Sequence, residues 1–143
     1  MKDIGGEKKI DIIVVTYNRL RLLKKTIKAI NVRTKYPHRV IVVDNNSYDG
    51  TKEWLLDAME KEIIDEVIFL SKNLGLGKSY QRALKRVESD YFVVCTDDVI
   101  APKTTPCWLE RELETIKANP EYAGICMRGV RITKFSELDS DLI

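Results

Sequence analysis

The chain has 143 residues, 44% hydrophobic and 32% charged with only 4 Pro and 7 Gly. That composition excludes disordered, collagenous and low-complexity proteins and suits one compact core. Its 24 basic and 22 acidic residues leave a net charge of +2, which argues against a dedicated nucleic-acid binder, a class that carries a basic excess on one face. No apolar run approaches the ~18 residues of a membrane helix, and Met1 to Glu7 lacks the apolar centre of a signal peptide. A single cytoplasmic domain without a transmembrane segment is expected.

Ile10 to Val15 is an apolar, β-branched run and reads as the first strand, with Leu20, Leu23, Ile27 and Ile30 following at helical spacing. Val40 to Val43 is continuously apolar, as strands buried on both faces are. Trp54, Leu55, Ala58, Met59 and Ile63 outline a second helix, Val67 to Leu70 a third strand, and Tyr80, Ala83, Leu84 and Val87 a third helix. Tyr91 to Cys95 forms a fourth strand. Trp108, Leu109, Glu112, Leu113 and Ile116 give a fourth helix stopped near Asn119 and Pro120, before a fifth strand around Ala123 to Met127. The alternation predicts an α/β domain over residues 1–143: a mainly parallel sheet with helices on both faces. Residues 134–143 are polar and acidic and are expected to form a flexible tail.

Cysteine and histidine remove several chemistries. Cys95, Cys107 and Cys126 lie 12 and 19 residues apart and form no C-x-x-C pair, so they read as reduced thiols, with Cys95 and Cys126 inside strands. His38 is the only histidine and reads as an exposed residue of the linker before the second strand, which leaves zinc proteases without their ligands. Any catalysis falls to carboxylates or to a metal that they hold.

In an open parallel sheet, ligands bind beyond the carboxyl ends of the strands. Those positions hold Thr16-Tyr17-Asn18-Arg19, Asp44-Asn45-Asn46-Ser47, Ser71-Lys72-Asn73-Leu74-Gly75 and Thr96-Asp97-Asp98. Helix capping accounts for one short polar residue per loop. Four such groups on one sheet edge exceed that need.

Together, Ile13 to Arg19, Ile41 to Thr51, Asn73-Leu74-Gly75 and Thr96-Asp97-Asp98 resemble the N-terminal, donor-binding portion of family 2 glycosyltransferases of the GT-A fold, from about Lys9 to Arg131. The resemblance implies a Rossmann-like nucleotide-binding half, a nucleotide-diphosphate sugar donor, most often a UDP-sugar, a divalent metal and transfer with inversion. Two phosphates need neutralising as the sugar departs, and Mn²⁺ or Mg²⁺ on carboxylates does so. Asp97 and Asp98 suit that task. Because adjacent residues leaving a strand face opposite ways, Asp98 is expected to ligate the metal and Asp97 to turn toward ribose or a basic neighbour. The family often carries Asp-x-Asp; here Thr96 holds its first position.

The resemblance assigns Asp44 to the nucleobase, with Asn46 beside it. Thr16 and Tyr17 can form a ledge against base and ribose, while Asn18 or Arg19 begins the first helix, whose terminal amides favour phosphate. Asn73, Gly75 and Lys78 belong to a glycine-containing loop near the donor. Gly77-Lys78-Ser79 imitates a P-loop, but the glycine that motif needs five residues before Gly77 is replaced by Lys72. A dinucleotide fingerprint fails at Tyr80, where a small residue is required.

No motif marks a general base among Glu121, Glu137, Asp139 and Asp141, and the chain continues only 45 residues past Asp98. Three readings follow: a transferase acting on an unknown acceptor, an isolated donor-binding fragment whose acceptor site a partner chain or further segment completes, and a non-catalytic nucleotide-sugar-binding module. A receiver-like signalling domain would need acidic residues after the first strand, where Thr16-Tyr17-Asn18 stands.

Overall fold

A computed structural model describes residues 9–127. Its elements run β1 (Ile10–Thr16), α1 (Leu20–Arg33), β2 (His38–Asp44), α2 (Thr51–Glu60), β3 (Glu66–Phe69), α3 (Gly75–Leu84), β4 (Phe92–Thr96) and α4 (Trp108–Ala118). The strands form one sheet in the order β3-β2-β1-β4, all neighbours parallel.

The period-two alternation of β1 divides its side chains between two cores. Ile10, Ile12 and Val14 pack with Val40 and Val42 under α1, α2 and α4, where Leu23, Ile27, Leu55, Trp108 and Leu113 lie. Ile13 and Val15 pack with Ile41 and Val43 against Ala83 and Tyr80 of α3. The central strands β1 and β2 are therefore covered on both faces, which explains their unbroken apolar runs. The edge strand β4 differs, with Phe92 and Val94 exposed.

The segment after β4 is fastened to α1 from beneath. Thr26 and Arg33, two helical turns apart and so on one face, donate to the carbonyls of Asp97 (2.8 Å) and Ala101 (2.9 Å). Trp108 Nε1 adds a buried bond to Thr34 Oγ1 at 2.9 Å. The backbone of Asp97 is thereby set by a helix that precedes it by some seventy residues, a bond separated by |i−j| = 71.

Several expectations are corrected. Ala123 to Met127 forms no strand: the segment is largely exposed and gains no ladder partner, although its apolar residues suit one. Cys126 accordingly lies exposed outside any strand, whereas Cys95 lies in β4; Cys95, Cys107 and Cys126 are all free thiols. His38 is the first residue of β2 and half-buried, its Nδ1 2.8 Å from the Tyr36 carbonyl, because pairing with Ile10 extends the ladder past the apolar run. Helix α3 begins at Gly75, five residues before the first apolar residue that marked it, and ends at Leu84 rather than Val87. The tail from 134 and the last residues of the span ending at Arg131 lie outside the described residues. Among the described residues no helix is long and apolar enough to cross a membrane.

Candidate functional site

The carboxyl ends of the strands bring Thr16, Asp44 and Thr96 into neighbouring positions, since Thr16 pairs in register with Asp44 and Val15 with Thr96. The loops that leave these strands are stitched to one another. Asn18 donates its amide to Ser47 Oγ (2.9 Å) and accepts the Tyr48 amide at Oδ1 (2.7 Å). Asp49 accepts the amides of Leu20 and Thr51, both at 3.1 Å, so one carboxylate caps α1 and α2 together. Asn45, 3% exposed, accepts the Leu74 amide at 2.9 Å and ties the third loop in. Asn18 (φ 50°) and Asn46 (φ 65°) hold left-handed backbone here, a conformation asparagine tolerates better than most residues.

Within this frame the expected site residues fall into two groups. Thr16 is buried and its hydroxyl donates to Asp97 Oδ2 at 2.8 Å, so of the expected ledge only Tyr17 reaches the surface, its ring edge-on to Tyr48 at 6.3 Å. Asn18 and Asn46 are spent on the frame, Asn46 accepting Lys52 Nζ at 2.7 Å. Asn73 Oδ1 accepts the Gly75 amide at 2.9 Å where Gly75 takes φ 75°, a turn that starts α3. Lys78 is exposed in the first turns of α3. Because Gly77, Lys78 and Ser79 lie inside that helix and Ser79 Oγ bonds back to the Gly75 carbonyl (2.6 Å), no P-loop cradle forms. The first amide of α1, expected to favour phosphate, is already taken by Asp49.

Asp44 is fully buried at the end of β2. Its Oδ2 accepts the Ser47 amide at 3.1 Å, while Oδ1 has no hydrogen-bond partner. A buried, unpaired carboxylate oxygen is costly and calls for a donor.

Asp97 and Asp98 diverge as they leave β4. Asp97 is 2% exposed and turned inward; Asp98 is half-exposed, one oxygen held by Thr96 Oγ1 and the other 3.1 Å from Arg19 Nη1. The same nitrogen stands 3.5 Å from Asp97 Oδ1. Burial pushes the Asp97 carboxyl above the ordinary value; the Thr16 hydroxyl, the Arg19 charge and the Tyr17 amide oppose this, and Asp98 adds to it. Burial, then the charges of Asp97 and Asp98, lift the Cys95 thiol to about 12, and burial, then the charges of Cys95, Asp97 and Asp98, raise the Tyr80 phenol. The negative field therefore reaches across to α3. Hard oxygen donors in this number fit Mg²⁺ or Mn²⁺, which bind through one or two carboxylates and complete their shell with phosphate and water.

Sequence reasoning assigned no site role to Thr26, Tyr80 or Asp49, and gave Asn45 and Ser47 none beyond membership of the polar group after the second strand. Asp49 followed by Thr51 was a legible capping signal; the cross-loop partners were not. Of the base candidates, Glu121 is exposed beyond α4, and Glu137, Asp139 and Asp141 lie outside the described residues.

An open parallel α/β sheet with polar loops and a carboxylate pair at its carboxyl edge defines the Rossmann-like, GT-A class of nucleotide-binding folds. TarS of S. aureus, residues 1–349 in complex with UDP-GlcNAc, superposes with a TM-score of 0.66 at 25% identity, covering 91% of this chain and 39% of that one. The mannosyltransferase PcManGT of Pyrobaculum calidifontis, in complex with GDP-Man and Mn²⁺, shares the fold with a TM-score of 0.68 at 22% identity, over 77% of this chain and 32% of its own. Residues 11–140 match Glycosyl transferase family 2, and the chain belongs to that family. The uncharacterized glycosyltransferase YwdF of Bacillus subtilis (strain 168) is 31% identical over 129 residues, 90% of this chain and 44% of its own length. The cholesterol galactosyltransferase of Borreliella burgdorferi is 28% identical over 68% of this chain and 27% of its own. The chain thus spans less than half the length of these relatives.

Proposed function

We propose that this chain is the donor-binding part of a metal-dependent, inverting glycosyltransferase that takes a nucleotide-diphosphate sugar, a UDP-sugar first among them. The observation that carries the reading is the unpartnered Oδ1 of Asp44, buried at the strand end where a nucleobase N–H would satisfy it. Tyr17, which follows the Thr16 that pairs in register with Asp44, supplies a flat apolar surface. Asn73 and Gly75 form the turn that starts α3, and Lys78, exposed in the first turns of that helix, is free to reach phosphate. TarS holds UDP-GlcNAc on the same fold, which supports the choice of donor.

Asp98, with Asp97 behind it, would hold the divalent cation, Mn²⁺ or Mg²⁺, which when bound would offset the charge that develops on the diphosphate leaving group. Asp97 fixes the geometry of the pair through Thr16 and the Tyr17 amide. Inversion follows from direct displacement: the acceptor oxygen bonds to the anomeric carbon as the bond to the diphosphate breaks, and a general base takes the hydroxyl proton. Glu121, exposed beyond α4, is the one base candidate among the described residues, and a further segment or a partner chain would complete the acceptor site.

Thermal unfolding with UDP, GDP, dTDP and their sugars, with and without Mn²⁺, tests the reading. A ligand at a hundred times its dissociation constant stabilises by about 2.7 kcal/mol, a shift of several degrees. A shift that needs metal and disappears in Asp98→Ala is expected. No shift with any of these nucleotides overturns the proposal.

A further inference from the structure

Arg19 meets the carboxylate pair at the oxygen a metal would use. Thr96 Oγ1 holds Asp98 Oδ1, which leaves Oδ2 as the outward oxygen, and Arg19 Nη1 bonds to Oδ2 at 3.1 Å. The same Nη1 lies 3.5 Å from Asp97 Oδ1, so one nitrogen spans both carboxylates. A guanidinium is permanently charged and cannot yield by losing a proton; it yields by moving. Arg19 is free to do so. It precedes the first residue of α1, is half-exposed, and borders a hollow of about 540 Å³ lined also by Asn18, Leu20, Arg21 and Lys24. Asp97 keeps the Thr16 hydroxyl and the Tyr17 amide when Arg19 leaves, whereas Asp98 exchanges one cation for another.

We infer that Arg19 is a resident counter-cation that competes with the divalent metal for Asp98 Oδ2 and, on donor binding, passes its guanidinium to the diphosphate. This inference rests on the donor-site reading above. The planar fork of a guanidinium matches phosphate oxygens better than a single carboxylate oxygen that it must share. Donor binding thereby clears Asp98, and metal and nucleotide affinities become coupled through one side chain. Such coupling is reciprocal: what UDP does for Mn²⁺, Mn²⁺ does for UDP.

Free Mn²⁺ followed by electron paramagnetic resonance, with and without UDP, tests this in the wild-type chain, Arg19→Gln, Arg19→Lys and Asp98→Asn. Without nucleotide, Arg19→Gln is expected to bind Mn²⁺ about fivefold more tightly or better, the lower range of common coupling strengths. The gain in Mn²⁺ affinity on adding UDP should shrink in Arg19→Gln and persist in Arg19→Lys, and metal-free UDP should bind Arg19→Gln more weakly. Asp98→Asn should lose Mn²⁺ binding. An exposed ion pair contributes little to stability, so unchanged unfolding midpoints are expected and serve as the control on folding. Arg19→Gln binding Mn²⁺ no more tightly than wild type, or neither protein binding it, overturns the inference. If Arg19→Gln gains Mn²⁺ affinity but neither protein binds UDP, GDP or dTDP, the donor reading fails with the transfer to phosphate, and the competition for Asp98 stands.

Discussion

Asp11 and Asp44 are buried aspartates on adjacent parallel strands at opposite ends of the sheet, and their surroundings differ. Asp11 accepts Arg39 Nε at 2.7 Å, the amides of Glu88 and Ser89, and the Ser89 hydroxyl, while its own amide donates to Ser89 Oγ. Arg39 and Arg86 carry the network on to Glu66. Every oxygen of Asp11 is engaged; one oxygen of Asp44 is not. The amino edge of the sheet is chemically closed and holds the chain together, whereas the carboxyl edge keeps an unmet acceptor, a half-exposed carboxylate and two left-handed asparagines. Burial does not distinguish the two carboxylates; the number of satisfied oxygens does, and it is the basis on which Asp44 is proposed as the ligand-binding one.

Four substitutions or conditions sharpen or break that contrast. The largest effect is expected from Asp11→Ala, which takes the acceptor from the amides of Glu88 and Ser89 and from Arg39 Nε, while the Ser89 hydroxyl keeps the Tyr91 carbonyl: about 3 kcal/mol of stability lost in urea unfolding, with nucleotide affinity of the folded fraction unchanged. Asp44→Asn should show the converse. Nucleotide affinity by calorimetry should fall at least tenfold, about 1.4 kcal/mol, without loss of stability, since the remaining amide oxygen still accepts the Ser47 amide and a buried charge is removed. A stability loss as large as that of Asp11→Ala would erase the distinction between the edges.

Acid separates the two edges by sign. Burial raises the Asp11 carboxyl, but the hydrogen bonds from Arg39, Glu88 and Ser89 and the Arg39 charge outweigh it, and the group titrates below its ordinary value. Its stabilising contribution is present above the unfolded pKa of about 3.9 and fades as pH falls through the lower folded value. Asp97, raised chiefly by burial, does the reverse: the folded state takes its proton more readily, so its contribution improves as pH falls. Unfolding free energies measured between about pH 5 and pH 3 should decline less steeply in Asp11→Asn and more steeply in Asp97→Asn than in wild type. The smallest effect lies at the closed edge, at the end of α2. Glu62 sits there at φ 56°, its amide bonded to the Met59 carbonyl and that of Ile63 to Ala58, a helix-end arrangement that favours glycine. Glu62→Gly should raise stability by about 1 kcal/mol and leave ligand binding untouched.

How much of this was readable beforehand follows the range of the interactions. The β1 and β2 runs were legible because both of their faces are buried, and the four polar groups at strand ends were legible because a parallel sheet gathers them on one edge. Asp49 capping Leu20, Asn45 holding Leu74 and Thr26 holding Asp97 were not, since each pairs residues brought together only by the fold. Ala123 to Met127 misled for a related reason: an apolar run suits a strand's side chains but says nothing of whether a neighbouring strand offers hydrogen bonds. Leu74 to Ser79 hid the start of α3 because its first turn carries glycine and exposed residues rather than an apolar face.

The loops stitched through Asn18, Ser47 and Asp49 constrain how this pocket can change. Substitution of Asp49 disturbs two helix starts at once, and substitution of Asn18 or Ser47 disturbs two loops; if the pocket takes a nucleotide sugar as proposed, change of base or sugar falls instead to Lys78 and to the pair of Tyr17 and Tyr48, whose rings meet across the same two loops. Transplanting the specificity of a relative would require the β1–α1 and β2–α2 loops to move together as one inherited cassette.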